Sequence, residues 1–508
     1  MSTTRQPDDH GPLTVIVLAA GGGTRMKSKT MKVLHPIAGR SMIAHVLEAV
    51  TALHPHRVVA VVGNQREQVG PHIQELLPDA VLAVQETQEG TGHAVRVAWE
   101  ALDPVDRSGT VLVAAGDTPL LEGEVLRAFA EDHAAGGRVV SILSGVVANP
   151  QGYGRILRDD SGQVTSIVEQ KDATAEQAAV AEINSGILAF DAAFLDRVLP
   201  RLRNDNAKGE YYLTDTVQLA REDGENVGAF PIEDVLQTEG ANDRAQLAML
   251  AEEKNNRILT RWMKDGVTII DPATTWIDVD VRLAPDVTVL PGVQLLGATV
   301  VAEDAVIGPD CTLKDVEVGA GARVVRTHAE LAVIGARANV GPFSYLRPGT
   351  ELGGEGKIGG FVETKNAKIG DGAKVPHLSY VGDAEIGEGS NIGAGTVFAN
   401  YDGVQKHRTV VGRHARTASN NTFVAPVHIG DGAGTGAGSV ILEDVPPGAL
   451  GVSAGPQRNI AGWAERRRAG SAQAEAARAA GNLSGEHADE AGHAPGDGPA
   501  VSNEGQGE

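Results

Sequence analysis

The sequence predicts an α/β domain with a largely parallel sheet, followed by a parallel β-helix built from hexapeptide repeats. Two observations carry this. Up to about residue 245, short apolar runs that end in Gly turns alternate with helix-like stretches, which is strand, turn and helix in repetition. From about residue 267 to 460, aliphatic side chains return every six positions, a period that fits neither an α-helix nor a simple strand.

Taken in order, residues 1–12 are polar and read as a flexible N-terminus. The α/β domain is expected over 13–241. Leu13 to Ala20 is an apolar, buried-strand run leading into Gly21-Gly-Gly23. Val58 to Val62 ends at Gly63, and Val111 to Ala115 ends at Gly116-Asp117. Amphipathic stretches such as Met42 to Val50 lie between them. Sheets of this kind bind ligands at the carboxyl ends of their strands, where these Gly turns lie. Residues 242–266 carry Leu247, Leu250, Ile258, Leu259 and Trp262 with charges between, and predict one linker helix ending before Gly266.

The repeat region is expected over 267–468. Val289, Leu295, Val301, Ile307 and Leu313 stand six apart, as do Ile334, Val340, Leu346, Leu352 and Ile358. A third series runs Val411, Thr417, Phe423, Ile429, Thr435 and Ile441. Three hexads make one triangular coil whose aliphatics point inward, and the coils stack. Small residues, mostly Gly, Ala and Ser, are expected to turn the corners. A narrow interior also explains an aromatic content of only 4%. Ala399 to Arg408 is polar and off-register, so it should project as a loop. Residues 469–508 are acidic and nearly free of large apolar groups, and are expected to be disordered.

The composition narrows the function. Against 44 Lys and Arg stand 66 Asp and Glu, a net charge of −22 in 508 residues. That excludes a nucleic-acid binder, which needs a basic face, but not a nucleotide held by a few local cations. The lone Cys311 excludes a disulfide framework and a Cys-rich zinc site. No run of about 18 apolar residues occurs, and no basic lead-in precedes Leu13, so a cytoplasmic protein without membrane insertion is expected.

The first set of chemical groups lies at the Gly turns. In Leu18-Ala-Ala-Gly-Gly-Gly-Thr-Arg-Met26 the glycines let backbone N–H groups approach an anion, and Arg25 and Lys32 add charge for phosphate. Alone, this is equally an ordinary strand-to-helix turn. Gln85-Glu-Thr-Gln-Glu-Gly-Thr-Gly-His93 is a second polar turn whose Gln can read a base edge and whose Gly90 and Thr91 can hydrogen-bond. Asp117, at a strand end, suits a structural cap as well as a hard oxygen ligand for Mg²⁺. Gly152-Tyr-Gly-Arg155, Ile167-Val-Glu-Gln170, Ile183-Asn-Ser-Gly186 and Glu239-Gly-Ala-Asn242 follow.

The repeat region holds a second polar set that stacking does not require. It comprises Arg347, Lys365, Asn391, Asn400, Tyr401 and Lys406, with the segment His377-Leu-Ser-Tyr380. Arg347 and Lys365 suit a sugar phosphate, or are simply solvated corner residues. The imidazole of His377 suits proton transfer near neutrality, or a structural role.

The first set resembles the sugar-1-phosphate nucleotidyltransferases. Joined to a hexapeptide β-helix, the whole resembles the bifunctional uridyltransferase/acetyltransferase family of bacteria over about residues 12–465. That resemblance implies a Rossmann-like, mostly parallel sheet and a left-handed β-helix. It implies that the backbone of Leu18, Ala19, Ala20 and Gly21, with Gln85, Gly90 and Thr91, holds the uridine of UTP. Arg25 and Lys32 would stabilise the triphosphate, Asp117 and Asn242 would ligate Mg²⁺, and Gly154, Glu169, Asn184 and Asn242 would face N-acetylglucosamine 1-phosphate. In the second site His377 would be the general base. Arg347, Lys365, Tyr380, Asn391, Asn400 and Tyr401 would bind glucosamine 1-phosphate, and Ala394, Ser419 and Ala437 would line the acetyl-CoA groove. Members of the family are homotrimers. This chain departs from the family at Gly22, Met31 and Ala115, and at Ala454, where some relatives carry an Arg that contacts CoA. Arg458 or Lys406 would then serve the CoA phosphate, and Trp463 either stacks on the cofactor or packs its own segment.

Two other readings compete: a single nucleotidyltransferase with the β-helix as a trimerising scaffold, and a sensor of sugar nucleotides without turnover. The polar set from Arg347 to Tyr401 argues against the scaffold, and paired metal ligands at Asp117 and Asn242 argue against the sensor.

Overall fold

The computed structural model describes residues 11–484 apart from Asn64, Ala454 and Pro456, with only the backbone of 481–484. It falls into two compact units, Met1–Val452 and Ser453–Glu508.

A mixed sheet begins the first unit. Its strand order is Val227–Pro231, Val140–Val146, Glu182–Asp191, Thr110–Ala115, Leu13–Leu18, Arg57–Val62 and Val81–Val84. The last four are mutually parallel. They are nearly continuous runs of Val, Ile, Leu and Ala because both faces are buried. Their carboxyl ends, carrying the Gly turns, therefore open at one edge. Glu182–Asp191 runs antiparallel to both its neighbours, so its beginning, with Asn184, arrives at that same edge. The expected N-terminal tail 1–12 is described only from Gly11, and Pro12 already accepts a hydrogen bond from Thr110 N at 3.0 Å.

The linker helix spans Arg244–Lys264. Asp243 caps it, accepting from the backbone N–H groups of Ala245 and Gln246 at 3.0 and 2.9 Å. Leu250 joins a small apolar cluster with Met26, Ile37 and Met42, whereas Ile258, Leu259 and Trp262 are part of the β-helix core. One amphipathic face thus serves both halves of the unit. Asn255, buried within this helix, donates to Thr275 O at 2.8 Å and accepts from Ile277 N at 3.1 Å. Arg40 forks onto Asp280 from the sheet side.

The β-helix follows in three-faced coils. Thr288 pairs with Val306, and Val306 with Arg323, steps of 18 and 17 residues. Several shortened coils, with steps of 17 and 16 residues, break the hexad phase between the first two series, and the off-register segment 399–408 lies between the second and the third. Every residue of those series is at most 5% exposed. The corners are less Gly-dependent than expected. Asp304, Phe343, Phe361, Leu378 and Asn420 adopt left-handed backbone there, with φ between 51° and 60°. The glycines that follow aliphatics serve another purpose. A Cβ on Gly335, Gly353, Gly370, Gly387, Gly412 or Gly430 would lie 2.5–2.7 Å from backbone of the next coil, so these positions keep adjacent coils at sheet spacing.

Two boundaries differ from the sequence reading. The last strand is Leu450–Gly451, short of residue 468; the hexad series itself runs no further than Ile441. In the second unit, Trp463–Arg467 and Ala472–Ser484 are helices. The expected disorder from 469 is thus corrected as far as 484. The run Ala472-Gln-Ala-Glu-Ala-Ala-Arg-Ala-Ala480 has high helix propensity and needs little apolar area to form one. Residues 485–508 lie outside the described residues.

The coil-spacing argument separates two adjacent glycines. Gly353→Ala meets Asp371 backbone at 2.6 Å, whereas a Cβ on Gly354 finds its nearest neighbours at 3.5 Å. Thermal melts should show Gly353→Ala destabilised by about 1–3 kcal/mol and Gly354→Ala close to the parent.

Candidate active sites

The first site forms where the parallel strands end. The chain leaves Leu18, is pinned by Ala19 N donating to Val61 O at 2.9 Å, and turns through exposed Gly21 and Gly22. Gly23 is required here, because a Cβ would lie 2.7 Å from that of Lys32. The turn thereby sets Lys32 against Asp117, and the two side chains form a salt bridge. Arg25 donates to Asn242 Oδ1 at 2.9 Å. The two residues expected to ligate a metal are thus each held by one of the two expected phosphate cations. Asn242 owes its place to the start of the linker helix, where its N–H donates to Gln246 Oε1 at 2.8 Å. Asp117 owes its clearance to Gly240, whose Cβ would come within 2.8 Å of the carboxylate. A carboxylate and an amide carbonyl are hard oxygen donors and fit Mg²⁺. Among the described residues no cluster of three or more His, Cys, Asp or Glu could hold a metal ion, so such a cation would complete its shell with other oxygens.

Gln85 is 4% exposed. Its amide nitrogen lies 3.2 Å from Gly90 O and 3.3 Å from His93 Nδ1. Thr91 Oγ1 accepts from Leu213 N at 3.1 Å. Gln88, which the sequence reading did not single out, donates to Ala20 O and overlies Gly22.

Gly154, Glu169 and Asn184 converge. Asn184 pairs with Gly154 across antiparallel strands, and a Cβ on Gly154 would lie 3.5 Å from Glu169 Oε1 and 3.6 Å from Asn184 Cβ. Thr214 Oγ1 donates to the same Glu169 oxygen at 3.4 Å. Burial raises the pKa of Glu169. It also pushes Asp215 up to about 6, with Glu169, Asp205 and Asp172 adding repulsion. Arg155 is 1% exposed and donates to Tyr153 O, Ala178 O and Gln170 Oε1, so it braces the fold. Tyr153 hydrogen-bonds Glu239 and thereby ties this cluster to the segment that ends in Asn242.

The second set lies on the β-helix. His377 O accepts from Gly395 N at 3.2 Å, Ala394 O from Asn420 N at 2.7 Å, and Ser419 O from Gly438 N at 2.9 Å. Stacking therefore lines up His377, Ala394, Ser419 and Ala437 along one corner. His377 is exposed, and among the described residues its imidazole has no hydrogen-bond partner.

At the other edge of the same face Asp383 is the hub. It is 8% exposed, receives Asn366 Nδ2 at 2.8 Å and Lys365 Nζ at 3.4 Å, and hydrogen-bonds Asn400. Burial opposes its charge, but Asn366, Asn400 and Lys365 outweigh it and hold the carboxyl below the ordinary range. Lys365, and to a smaller extent Arg347, depress the pKa of Lys406, so three cations converge here. Arg347 also meets Glu363 at 2.9 Å. Tyr380 links the two edges. It lies three residues beyond His377, and its hydroxyl is 3.5 Å from Asn400 Nδ2. Asp383 escaped the sequence reading although Gly382-Asp383 repeats the Gly-Asp signal of Gly116-Asp117.

Two expected members stand apart. Asn391 is on the neighbouring face, bridging Lys374 and Arg416. Tyr401 is 60% exposed on the projecting loop, with its hydroxyl on Gly403 O at 2.7 Å. That loop is held by Asp402, which accepts from Val404 N and Gln405 N at 2.7 Å each and from His407 Nε2 at 2.7 Å. Ala454 lies outside the described residues. Arg458 and Trp463 belong to the second unit, where Arg468 sits 5.0 Å over the Trp463 ring.

The raised pKa of Asp215 gives a signed test. Its protonated form is favoured by folding, so its contribution is present at low pH and lost as pH rises through about 6. Asp215→Asn should raise Tm at pH 8, and that gain should shrink below pH 6 in a series of melts.

Residues 15–181 match the MobA-like NTP transferase domain, and 366–400 match the bacterial transferase hexapeptide (six repeats). Curated relatives match nearly end to end. A bifunctional protein GlmU from Kineococcus radiotolerans is 59% identical over 469 residues, covering 92% of this chain and 95% of that protein. Those of Rhodococcus jostii and Streptomyces avermitilis are 58% and 57% identical, covering 92% of this chain and 95% and 97% of their own lengths. With both domains matched, and identity this high along almost the whole length, the chain belongs to the GlmU family of bifunctional proteins.

Proposed function

We propose that the chain catalyses two consecutive transfers in the biosynthesis of UDP-N-acetylglucosamine, a cell-wall precursor. Glucosamine 1-phosphate is N-acetylated from acetyl-CoA on the β-helix. N-acetylglucosamine 1-phosphate then displaces pyrophosphate from UTP at the sheet edge. The observation that carries this reading is that one chain holds two separate polar constellations, one around Lys32, Asp117 and Asn242 and one around His377, Lys365 and Asp383.

In the nucleotidyl transfer a phosphate oxygen of the sugar phosphate attacks the α-phosphorus, and pyrophosphate leaves. The work is positioning and charge neutralisation. Lys32 and Arg25 neutralise the triphosphate, and the turn from Leu18 to Gly21 with Gln85, Gly90 and Thr91 fixes the uridine. Gly154, Glu169 and Asn184 grip the acetylated sugar. Asp117 and Asn242 would hold Mg²⁺, which supplies further charge neutralisation at the phosphates. Arrival of the nucleotide gives Lys32 and Arg25 phosphate partners in place of Asp117 and Asn242.

In the acetyl transfer the sugar amine attacks the thioester carbonyl, and CoA leaves as its thiol. The amine must be neutral to attack, so His377 accepts its proton. Arg347, Lys365 and Lys406 hold the sugar phosphate, and Tyr380 and Asn400 orient the ring. The corner line of Ala394, Ser419 and Ala437 leaves room for the pantetheine arm. Asn391 and Tyr401 stand apart from this group within one chain, which favours a homotrimer whose sites draw on adjacent prisms. Among the described residues no helix is long and apolar enough to cross a membrane, and we place the enzyme in the cytoplasm.

The test is to incubate the protein with glucosamine 1-phosphate, acetyl-CoA, UTP and Mg²⁺, then omit each in turn. His377→Ala should lower acetyl transfer by at least about 100-fold, the scale of lost general-base catalysis, and leave uridylyl transfer intact. Equal loss of both activities would refute separate sites. Asp117→Ala should do the reverse, with Mg²⁺-dependent pyrophosphate release falling while thiol release from acetyl-CoA continues.

A further inference from the structure

Gln85 presents an asymmetric group to whatever base lies beside it, and the structure fixes which end faces outward. Its amide nitrogen is within reach of Gly90 O, at 3.2 Å, and His93 Nδ1, at 3.3 Å. A backbone carbonyl can only accept, so the NH₂ end must point there, and the carbonyl end is turned away. Among the described residues nothing donates to that carbonyl oxygen.

His93 is in position to accept the second N–H. Its Nδ1 lies 3.8 Å from Glu89 Oε2, too far for a hydrogen bond. A ring with its proton on Nε2 leaves Nδ1 free to accept from Gln85. The segment carrying both acceptors is itself pinned. Tyr211 N donates to Glu89 O at 2.7 Å, and Gly92 N donates to Tyr211 O at 2.8 Å. Arg96 lies 5.0 Å over the Tyr211 ring, and the His93 side chain is only 14% exposed.

We infer that His93 is a positioning residue for base selection. With Gly90 O it occupies both N–H groups of Gln85, so that only a carbonyl oxygen faces the pyrimidine. This rests on the uridylyl-transfer reading above. A lone acceptor at that edge takes the N3–H of uracil, whereas cytosine offers an unprotonated N3, another acceptor. The buried mismatch then rejects cytosine, since an acceptor facing an acceptor leaves both desolvated and unpaired. Without the acceptor at position 93 one amide N–H loses its partner and Gly90 O alone holds the orientation, so the flipped amide, which offers a donor to cytosine, is disfavoured by less. Thymine has the same N3–H, so this edge does not separate UTP from dTTP.

The experiment measures kcat/KM for pyrophosphate release with UTP and with CTP on the full-length protein with Mg²⁺ and N-acetylglucosamine 1-phosphate. His93→Leu should lower the UTP-to-CTP ratio by about fivefold or more. His93→Asn, whose side-chain oxygen can replace Nδ1, should restore most of it. Thermal melts establish that both variants are folded, and a merely structural role would reduce UTP and CTP turnover in proportion. An unchanged ratio in folded His93→Leu overturns the inference while leaving uridylyl transfer intact. Absence of UTP turnover in the parent protein overturns instead the reading on which it rests.

Discussion

The constraint on which the β-helix depends is that each coil must lie at hydrogen-bonding distance from the next over its whole perimeter. A six-residue period gives each face an inward aliphatic, and the column of glycines from Gly335 to Gly430 removes the side chains that would wedge coils apart. Once the coils are held at that spacing, residues remote in sequence become neighbours at fixed height. His377, Ala394, Ser419 and Ala437 form a column by this means, across an interval that includes the projecting loop. The insertion is tolerated because Asn391 still bridges Arg416, 25 residues on, so the extra chain is expelled outward without disturbing the ladder.

The sheet solves the same problem differently. Four parallel strands deliver their carboxyl ends to one edge, and one antiparallel strand brings its beginning there. Backbone turns and opposed charges then meet in a small volume. The pairs Lys32–Asp117 and Arg25–Asn242 keep cations and oxygen donors mutually satisfied without substrate. Half-buried charges are costly when unpaired, and at this edge each cation has an oxygen partner within the chain. Asp383 plays the same part for Lys365 on the β-helix.

The two halves are joined through shared packing and polar ties. The linker helix places Leu250 in one core and Ile258, Leu259 and Trp262 in the other, while Asn255 and the Arg40–Asp280 fork fix its contacts with the first coils. The same helix starts at Asp243, directly after Asn242. A residue at the carboxyl edge of the sheet is thus anchored to the element that carries the β-helix, a consequence of where the helix cap falls.

The sequence by itself determined the order of the architecture. Periodicity reports which side chains must be buried, and burial dominates the choice between sheet and prism. Hence the strand at Leu13, the linker helix and the hexad core were legible, as were the Gly turns with Lys32 and Asp117. Tertiary structure decided what local pattern cannot encode. It determined that Asp383 gathers Lys365, Asn366 and Asn400, that Arg155 is a brace, and that Gln85 shows a carbonyl outward because Gly90 and His93 take its N–H groups. It also placed Asn391 on a different face from Lys365. These depend on coil length, strand direction and the partners of buried polar atoms, which are properties of neighbours in space that the spacing of residues along the chain does not carry.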